Sequence, residues 1–323
     1  MRRRRALVWV VAALAAATIM TTVPAAEAKK GPRPLVYRHS VADPSVAKVG
    51  PKKYVAVSTG KRVVRQVSSN GRTWRLTRTP LVRRPRWAKR TGGIWASEIV
   101  HIGRRWVLYF AAPARNRRGR CIGAAVSTSA TGRFRAVPGR PLVCSSNRAG
   151  VIDPSSYVSG RRTYLLYKID AKPSAIKLLR LNRAGTRRAA RHSRVLVRSR
   201  GVVENPVILR RGGYYYLFTS IRSYATCNYA TTVRRSRSLV HWRGHPARMV
   251  LSQHMTGLCG PGGADIVATK RGVTMYFHGW VCGGSTRPCT VRPHRARRAV
   301  RALYAVKLNF RHGWPVRAGY VKG

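Results

Sequence analysis

A hairpin pattern recurs five times along this 323-residue chain, and every copy begins at an acidic residue. Asp43, Glu98, Asp153, Glu204 and Asp265 each open a short strand pattern that runs through a turn into an aromatic-rich strand. One copy reads Asp-Pro-Ser-Ser-Tyr and then Thr-Tyr-Leu-Leu-Tyr between 153 and 167. The spacings of the acids are 55, 55, 51 and 61 residues. A repeat of that length built on a hairpin predicts a propeller blade, because one small sheet cannot bury both faces and must stack against neighbours. The expected fold is all-β, a five-bladed β-propeller with blades over 34–85, 90–145, 150–200, 201–256 and 257–323. A ring of that kind points all five carboxylates at one central channel. Helical patterns are sparse, apolar residues alternate over short runs, and Gly50, Gly103, Gly160, Gly212 and Gly272 fall where the first hairpin of each blade should turn.

Residues 1–28 read as a secretory signal peptide, with four arginines at 2–5, an uncharged apolar run over 6–23 and Ala26-Glu27-Ala28 as the small-x-small cleavage signal before Lys29. A retained anchor is the competing reading, since the run approaches the length of a span. The processing site that follows it favours cleavage. No later segment is apolar enough to cross a bilayer, so the 295-residue mature chain is expected to be a monomeric single domain, extracellular or cell-wall associated and free of the membrane. Its six cysteines are an even set in an exported chain, which favours disulfides over free thiols, and the expected pairing is nearest-neighbour: Cys121 with Cys144, Cys227 with Cys259, Cys282 with Cys289. The absence of Cys-x-x-Cys argues against a zinc or redox centre.

Charge is extreme. The whole chain carries +58, and removing the four arginines and one glutamate of the leader gives +55. Such a protein adheres non-specifically to polyanions, with a strong salt dependence. The basic runs lie between the repeat motifs, where charge on loops and edge strands also blocks aggregation. No helix-turn-helix, zinc-finger or ribonucleoprotein signature accompanies them, so specific nucleic-acid recognition is not expected.

Ala42-Asp43-Pro44-Ser45, Trp95-Ala96-Ser97-Glu98-Ile99, Ile152-Asp153-Pro154-Ser155 and Val203-Glu204-Asn205-Pro206 occur in this order and spacing. The set resembles glycoside hydrolase family 43, whose fold is a five-bladed β-propeller, and Leu308 to Val316 resembles the way its members close their last blade. The likeness spans the mature chain. It implies an inverting hydrolase of arabinofuranosyl or xylosyl linkages. By position, Asp43 corresponds to the general base, Glu204 to the general acid, and Asp153 to the carboxylate that tunes and orients Glu204. Trp95 is read as a sugar-stacking platform or as core packing. His278, in Tyr276-Phe277-His278-Gly279-Trp280, is read as an axial residue near substrate or a cation, or as a satisfied core histidine. Glu98 and Asp265 are expected to bind sugar hydroxyls or channel water. Asp265 departs from the His or Asn common in that region of the family. No cofactor is expected, and a structural calcium lacks the several carboxylates it needs. The invertase-like propellers also use three acids, but Ala42 and Ile152 stand where their Asn-Asp-Pro and Arg-Asp-Pro motifs require Asn and Arg. The alternative from another class is a non-catalytic basic propeller that binds anionic cell-wall polymer or acidic polysaccharide, since fold does not fix function.

Elementary chemistry supports the same assignment. Inversion needs one ionised and one protonated carboxyl on opposite sides of the sugar, about 6.5–9.5 Å apart. A third acid raises its neighbour's pKa by repulsion, whereas the surrounding arginines favour ionised acids. The expected pH optimum is therefore acid-shifted and moves upward as salt screens the positive field. Rate profiles recorded at low and high ionic strength test this, and identical profiles would contradict it.

Overall fold

The computed structural model describes residues 32–323 apart from 117, 146–148 and 291, so the predicted signal peptide lies outside the described residues. Twenty strands form five four-stranded antiparallel meanders. Blade I comprises β1 (Ser45–Gly50), β2 (Lys53–Ser58), β3 (Val64–Ser68) and β4 (Arg75–Thr77). Blade II comprises β5 (Trp95–Ile102), β6 (Arg105–Pro113), β7 (Arg120–Ser127) and β8 (Arg135–Ala136). Blade III comprises β9 (Val151–Ser159), β10 (Arg162–Ile169), β11 (Ser174–Leu181) and β12 (Arg194–Ser199). Blade IV comprises β13 (Val203–Arg211), β14 (Tyr214–Ile221), β15 (Ala230–Ser236) and β16 (Arg248–Leu251). Blade V comprises β17 (Cys259–Thr269), β18 (Gly272–Val281), β19 (Val300–Arg311) and β20 (Trp314–Tyr320). The first strand of each blade is innermost, and β1, β5, β9, β13 and β17 neighbour one another in that order, with β17 returning to β1. The protein is a five-bladed β-propeller.

Second strands such as Arg-Trp-Val-Leu-Tyr-Phe-Ala-Ala-Pro in β6 are buried on both faces, because each lies mid-sheet between two neighbouring blades. Among the described residues five apolar clusters result, one per blade interface, and a sixth gathers Cys227, Cys259, Trp280 and Cys289. Phe110 and Val57 join blades I and II, Tyr109 and Leu165 join II and III, Leu166 and Leu217 join III and IV, Phe218 and Phe277 join IV and V, and Ala56 and Leu303 join V and I. The last joint is also closed by backbone. Leu35 N–H donates to Leu303 O at 2.7 Å and Val41 N–H to Arg301 O at 2.7 Å, along the part of β19 that β20 leaves unpaired. The three disulfides pair as nearest neighbours, Cys121–Cys144, Cys227–Cys259 and Cys282–Cys289.

Every inner strand carries a bulge at the same level. Pairing with the second strand jumps by three residues against two, from Trp95↔Ala111 to Glu98↔Tyr109, from Ile152↔Lys168 to Ser155↔Leu166, from Glu204↔Ser220 to Val207↔Phe218 and from Gly262↔His278 to Asp265↔Tyr276. The extra residue takes a left-handed conformation: Asp43 (φ 50), Ala96 (φ 42), Asp153 (φ 54), Asn205 (φ 47) and Gly263 (φ 58). Its N–H has no ladder partner in its own blade, and for four of the five the preceding blade supplies one. Ala96 N–H donates to Thr59 Oγ1 at 2.8 Å, Asn205 N–H to Asp153 Oδ2 at 3.0 Å, Gly263 N–H to Ser220 Oγ at 2.8 Å and Asp43 N–H to His278 Nδ1 at 3.1 Å. A second set lies deeper, with Ile99 N–H on Ser45 Oγ (3.3 Å), Ser156 N–H on Glu98 Oε1 (2.7 Å) and Val46 N–H on Asp265 Oδ2 (2.6 Å).

This register corrects the expectation that the five acids are equivalent. Asp43 and Asp153 occupy the bulge, Glu204 the residue before it, and Glu98 and Asp265 lie two residues after it. The five acids therefore stand at three depths along the axis.

Burial raises the Glu98 carboxyl to about 8, with Ser156 N–H opposing the shift and the Asp265 charge adding to it. In the unfolded chain a glutamate titrates near ~4.3, so between these values the folded protein binds the extra proton and loses stability as pH rises. Glu98→Gln keeps the acceptor for Ser156 and removes that dependence. Urea unfolding between about pH 5 and about pH 8 should show a flatter stability profile for the variant; parallel profiles would refute the buried protonated state.

Candidate functional site

The bulges bring two of the three acid depths to a cavity of about 500 Å³ at one end of the axis, lined by Asp43, Asp153, Glu204, Lys168, Trp95 and Arg301 among others. Beneath it a narrower space of about 30 Å³ is lined by Asp43 and Asp153 again, now with Glu98 and Asp265. Asp43 and Glu204 stand on blades I and IV, which are not adjacent in the ring, so they face the cavity from separate walls.

Asp43 is held from three sides. Thr59 Oγ1 donates to its Oδ2 at 2.9 Å, and Arg301 Nη1 lies 3.2 Å from both carboxylate oxygens. Burial alone would raise its pKa, but the Arg301 charge and the bonds from Thr59 and Arg301 outweigh burial and leave it below the usual carboxylate range. His278 is fully buried, and burial together with the Arg301 charge drives it down to about 3. It is neutral, and because Nδ1 accepts the Asp43 N–H, its proton sits on Nε2. Of the two readings of His278, its burial matches the satisfied core histidine: it fixes the Asp43 backbone, as Thr59 fixes Ala96, and stacks on Tyr229 at 5.7 Å. Gly263 is required beside it, since a Cβ there would come within 2.6 Å of the His278 ring and 3.0 Å of Asp43 Oδ1.

On the opposite wall Glu204 Oε2 accepts from Lys168 Nζ at 2.7 Å and Oε1 from the Tyr229 hydroxyl at 2.8 Å. Lys168 also pairs with Asp170 at 2.8 Å. Burial opposes the Lys168 charge, but Glu204 and Asp153 more than offset it and push its pKa up. Asp153 goes the other way: burial first and the Glu204 charge second raise its carboxyl well above the usual range. The site thus offers one ionised carboxylate on blade I and, on blades III and IV, a carboxyl pair that holds a proton on Asp153.

Trp95 is 40 % exposed on the cavity wall, with the Arg120 guanidinium 3.4 Å over its ring centroid. One ring face is covered by a cation and the ring borders the cavity. Glu98 and Asp265 line only the narrow space and spend an oxygen each on the interblade bonds described above. Of the predicted site residues, Asp43, Asp153, Glu204 and Trp95 meet at the cavity, Glu98 and Asp265 lie beneath it, and His278 is buried and lines neither space.

Glu98 Oε2 and His278 Nε2 are buried without a partner. His278 Nε2 carries a proton and cannot ligate, and among the described residues no three His, Cys, Asp or Glu side chains converge on one point.

Sequence reasoning missed Thr59, Lys168, Arg301 and Tyr229. A signal for two of them exists. The residue of each second strand opposite the bulge is Thr59, Ala111, Lys168, Ser220 or His278. Four of those five side chains hydrogen-bond a bulge residue or the acid beside it, so aligning second strands as well as first strands would have found Thr59 and Lys168.

The Lys168–Glu204 pair is buried on both sides, with side-chain exposures of 6 % and 10 %. Removing one partner of such a pair leaves an uncompensated charge and costs about 3–5 kcal/mol. Lys168→Met should lose that much by urea unfolding at neutral pH; a loss below ~1 kcal/mol would place the pair in the solvated class.

The fold is shared with solved enzymes. The exo-1,5-alpha-L-arabinanase from a bovine ruminal metagenomic library is 21 % identical, with a TM-score of 0.68 over 86 % of this chain and 97 % of that one. The Cellvibrio cellulosa alpha-L-arabinanase, solved with arabinohexaose, is 20 % identical, with a TM-score of 0.68 over 86 % and 95 %. An endo-1,4-beta-xylanase from Bacteroides thetaiotaomicron VPI-5482 is 18 % identical, with a TM-score of 0.68 over 87 % and 96 %. The family model described as glycosyl hydrolases family 43 matches residues 33–315. With that match over nearly all of the described propeller, the chain belongs to glycosyl hydrolases family 43 and is a glycoside hydrolase.

Proposed function

We propose that the protein is a secreted enzyme that cleaves arabinofuranosyl or xylosyl linkages with inversion, using Asp43, Glu204 and Asp153. The observation that carries this reading is the meeting of Asp43, from blade I, with Asp153 and Glu204, from blades III and IV, at one cavity, with the Asp43 pKa lowered by Arg301 and the Asp153 pKa raised by burial. An ionised Asp43 accepts a proton from water as the water oxygen bonds the anomeric carbon. Glu204 gives a proton to the leaving glycosidic oxygen as that bond breaks. Asp153 is the third carboxylate, which tunes and orients Glu204, and it is held next to that residue by the Asn205 N–H. Arg301 and Thr59 keep Asp43 ionised and aimed, and Lys168 and the Tyr229 hydroxyl hold Glu204 in place.

Trp95 supplies an apolar platform for a sugar face, with its other side braced by Arg120. The arabinan and xylan named for the solved relatives indicate the sugar class. Export is supported by the three disulfides, which persist in an oxidising compartment. Among the described residues no helix is long and apolar enough to cross a membrane.

The test is hydrolysis of aryl arabinofuranosides, aryl xylosides, arabinan and xylan, with NMR of the first-formed anomer. Glu204→Gln and Asp43→Asn should each lower kcat/KM by about 10²–10⁴, and the parent enzyme should release the inverted anomer. Retention of configuration, or full activity in either variant, would remove the assignment.

A further inference from the structure

A second cavity of about 710 Å³ adjoins the site on the side of blades I and II. The two cavities share a wall at one backbone bridge, where Gly60 and Ile94 exchange N–H to O bonds of 3.0 and 2.8 Å. Thr59 and Trp95, on one side of that bridge, line the first cavity, whereas Lys61 and Ile94 line the second. The chain thus runs from the catalytic wall directly into the neighbouring cleft.

The cleft is built for negative charge. Seven of its fourteen lining residues are Lys or Arg, against 65 of 323 in the whole chain, so its cation density exceeds the general arginine excess. Two other outer cavities carry four and two such residues. Lys61, Arg62, Arg83, Arg86, Arg90 and Arg115 are exposed, and among the described residues every ion pair lies elsewhere, at Asp43 and Lys168. Arg84 is the exception in role. Its two Nη atoms hold the carbonyls of Lys61, Lys89, Thr91 and Gly92, which fixes the loop that presents the other cations. Buried Val63, Leu81, Ala88 and Ile94 form an apolar floor. Six guanidinium and ammonium groups around an apolar floor, with no carboxylate among the lining residues, match an oxyanion carried on a larger, partly apolar body.

We infer that this cleft binds an acidic substituent, a carboxylate or a phosphate group, on the glycan whose linkage lies in the adjoining site, so that the substrate class is an anionic polysaccharide. The inference rests on the hydrolase reading for its account of the substrate. Its binding component is measured without turnover.

The mature protein carrying Glu204→Gln is titrated with three probes: oligogalacturonate for carboxylate, poly(ribitol phosphate) for phosphate and a neutral arabino-oligosaccharide as reference. A cleft variant, Arg62→Gln with Arg83→Gln and Arg86→Gln, is compared with a control variant, Arg104→Gln with Arg161→Gln and Arg271→Gln. The control residues are exposed on first-hairpin turns at the other end of the axis, and both sets remove the same charge. All six are exposed, and thermal melts check that both variants fold. At near-physiological salt the cleft variant should bind one or both acidic probes about tenfold more weakly, the sum of three surface ion pairs, while the control changes less than about twofold. The probe that loses affinity names the oxyanion. Equal losses in the two variants, or no loss in either, would overturn the inference, as would both acidic probes binding no better than the neutral one. Failure of the hydrolase reading looks different: selective loss in the cleft variant, with neither acidic nor neutral glycan cut by the parent enzyme.

Discussion

The propeller depends on how each blade satisfies the backbone of the next. A bulge on every inner strand leaves one N–H without a ladder partner close to the axis. A buried amide left unpaired costs about 1–3 kcal/mol, and for four of the five the preceding blade supplies the acceptor: Thr59, Asp153, Ser220 or His278. Ring closure and site geometry follow from the same bonds. The acceptors sit where the cavity begins: one of them fixes the left-handed Asp43, and Asp153 is itself the acceptor that fixes Asn205.

Electrostatics then sorts the acids. In a chain of 65 cations, the ion pairs among the described residues all gather at Asp43 and Lys168. Arg301 stabilises the ionised form of Asp43, whereas Asp153 is buried against Glu204 and takes up a proton. Two aspartates at the same bulge position thus reach opposite protonation states, and the difference lies wholly in their neighbours. The surface arginines have another consequence. Where they crowd beside the site, around the loop that Arg84 organises, they form a cleft rather than a uniform coat.

Other residues that sequence reasoning placed near substrate have structural work to do. Glu98 and Asp265 accept N–H groups from blades III and I. His278 carries Asp43 on its Nδ1 and leaves no room for a side chain at Gly263. Their recurrence near the start of each repeat reflects the joints between blades, and the catalytic candidates are the members of that set that also open onto the cavity.

The sequence by itself determined the number of blades, the hairpin in each and the disulfide pairing, because these depend on local periodicity, on turn residues and on cysteines close in the chain. The ordered motifs around Asp43, Asp153 and Glu204 singled out three acids through a family resemblance, and these three line one cavity. Depth along the axis was beyond it. A bulge shifts side chains by one residue without any mark in a hydrophobic pattern, so five acids that align by eye separate into three levels. Only the tertiary structure decided the partners of those acids, Arg301 from 258 residues away and Lys168 from 36. Protonation is set by what surrounds a carboxyl in space, and in a closed ring the surroundings of blade I come from blade V.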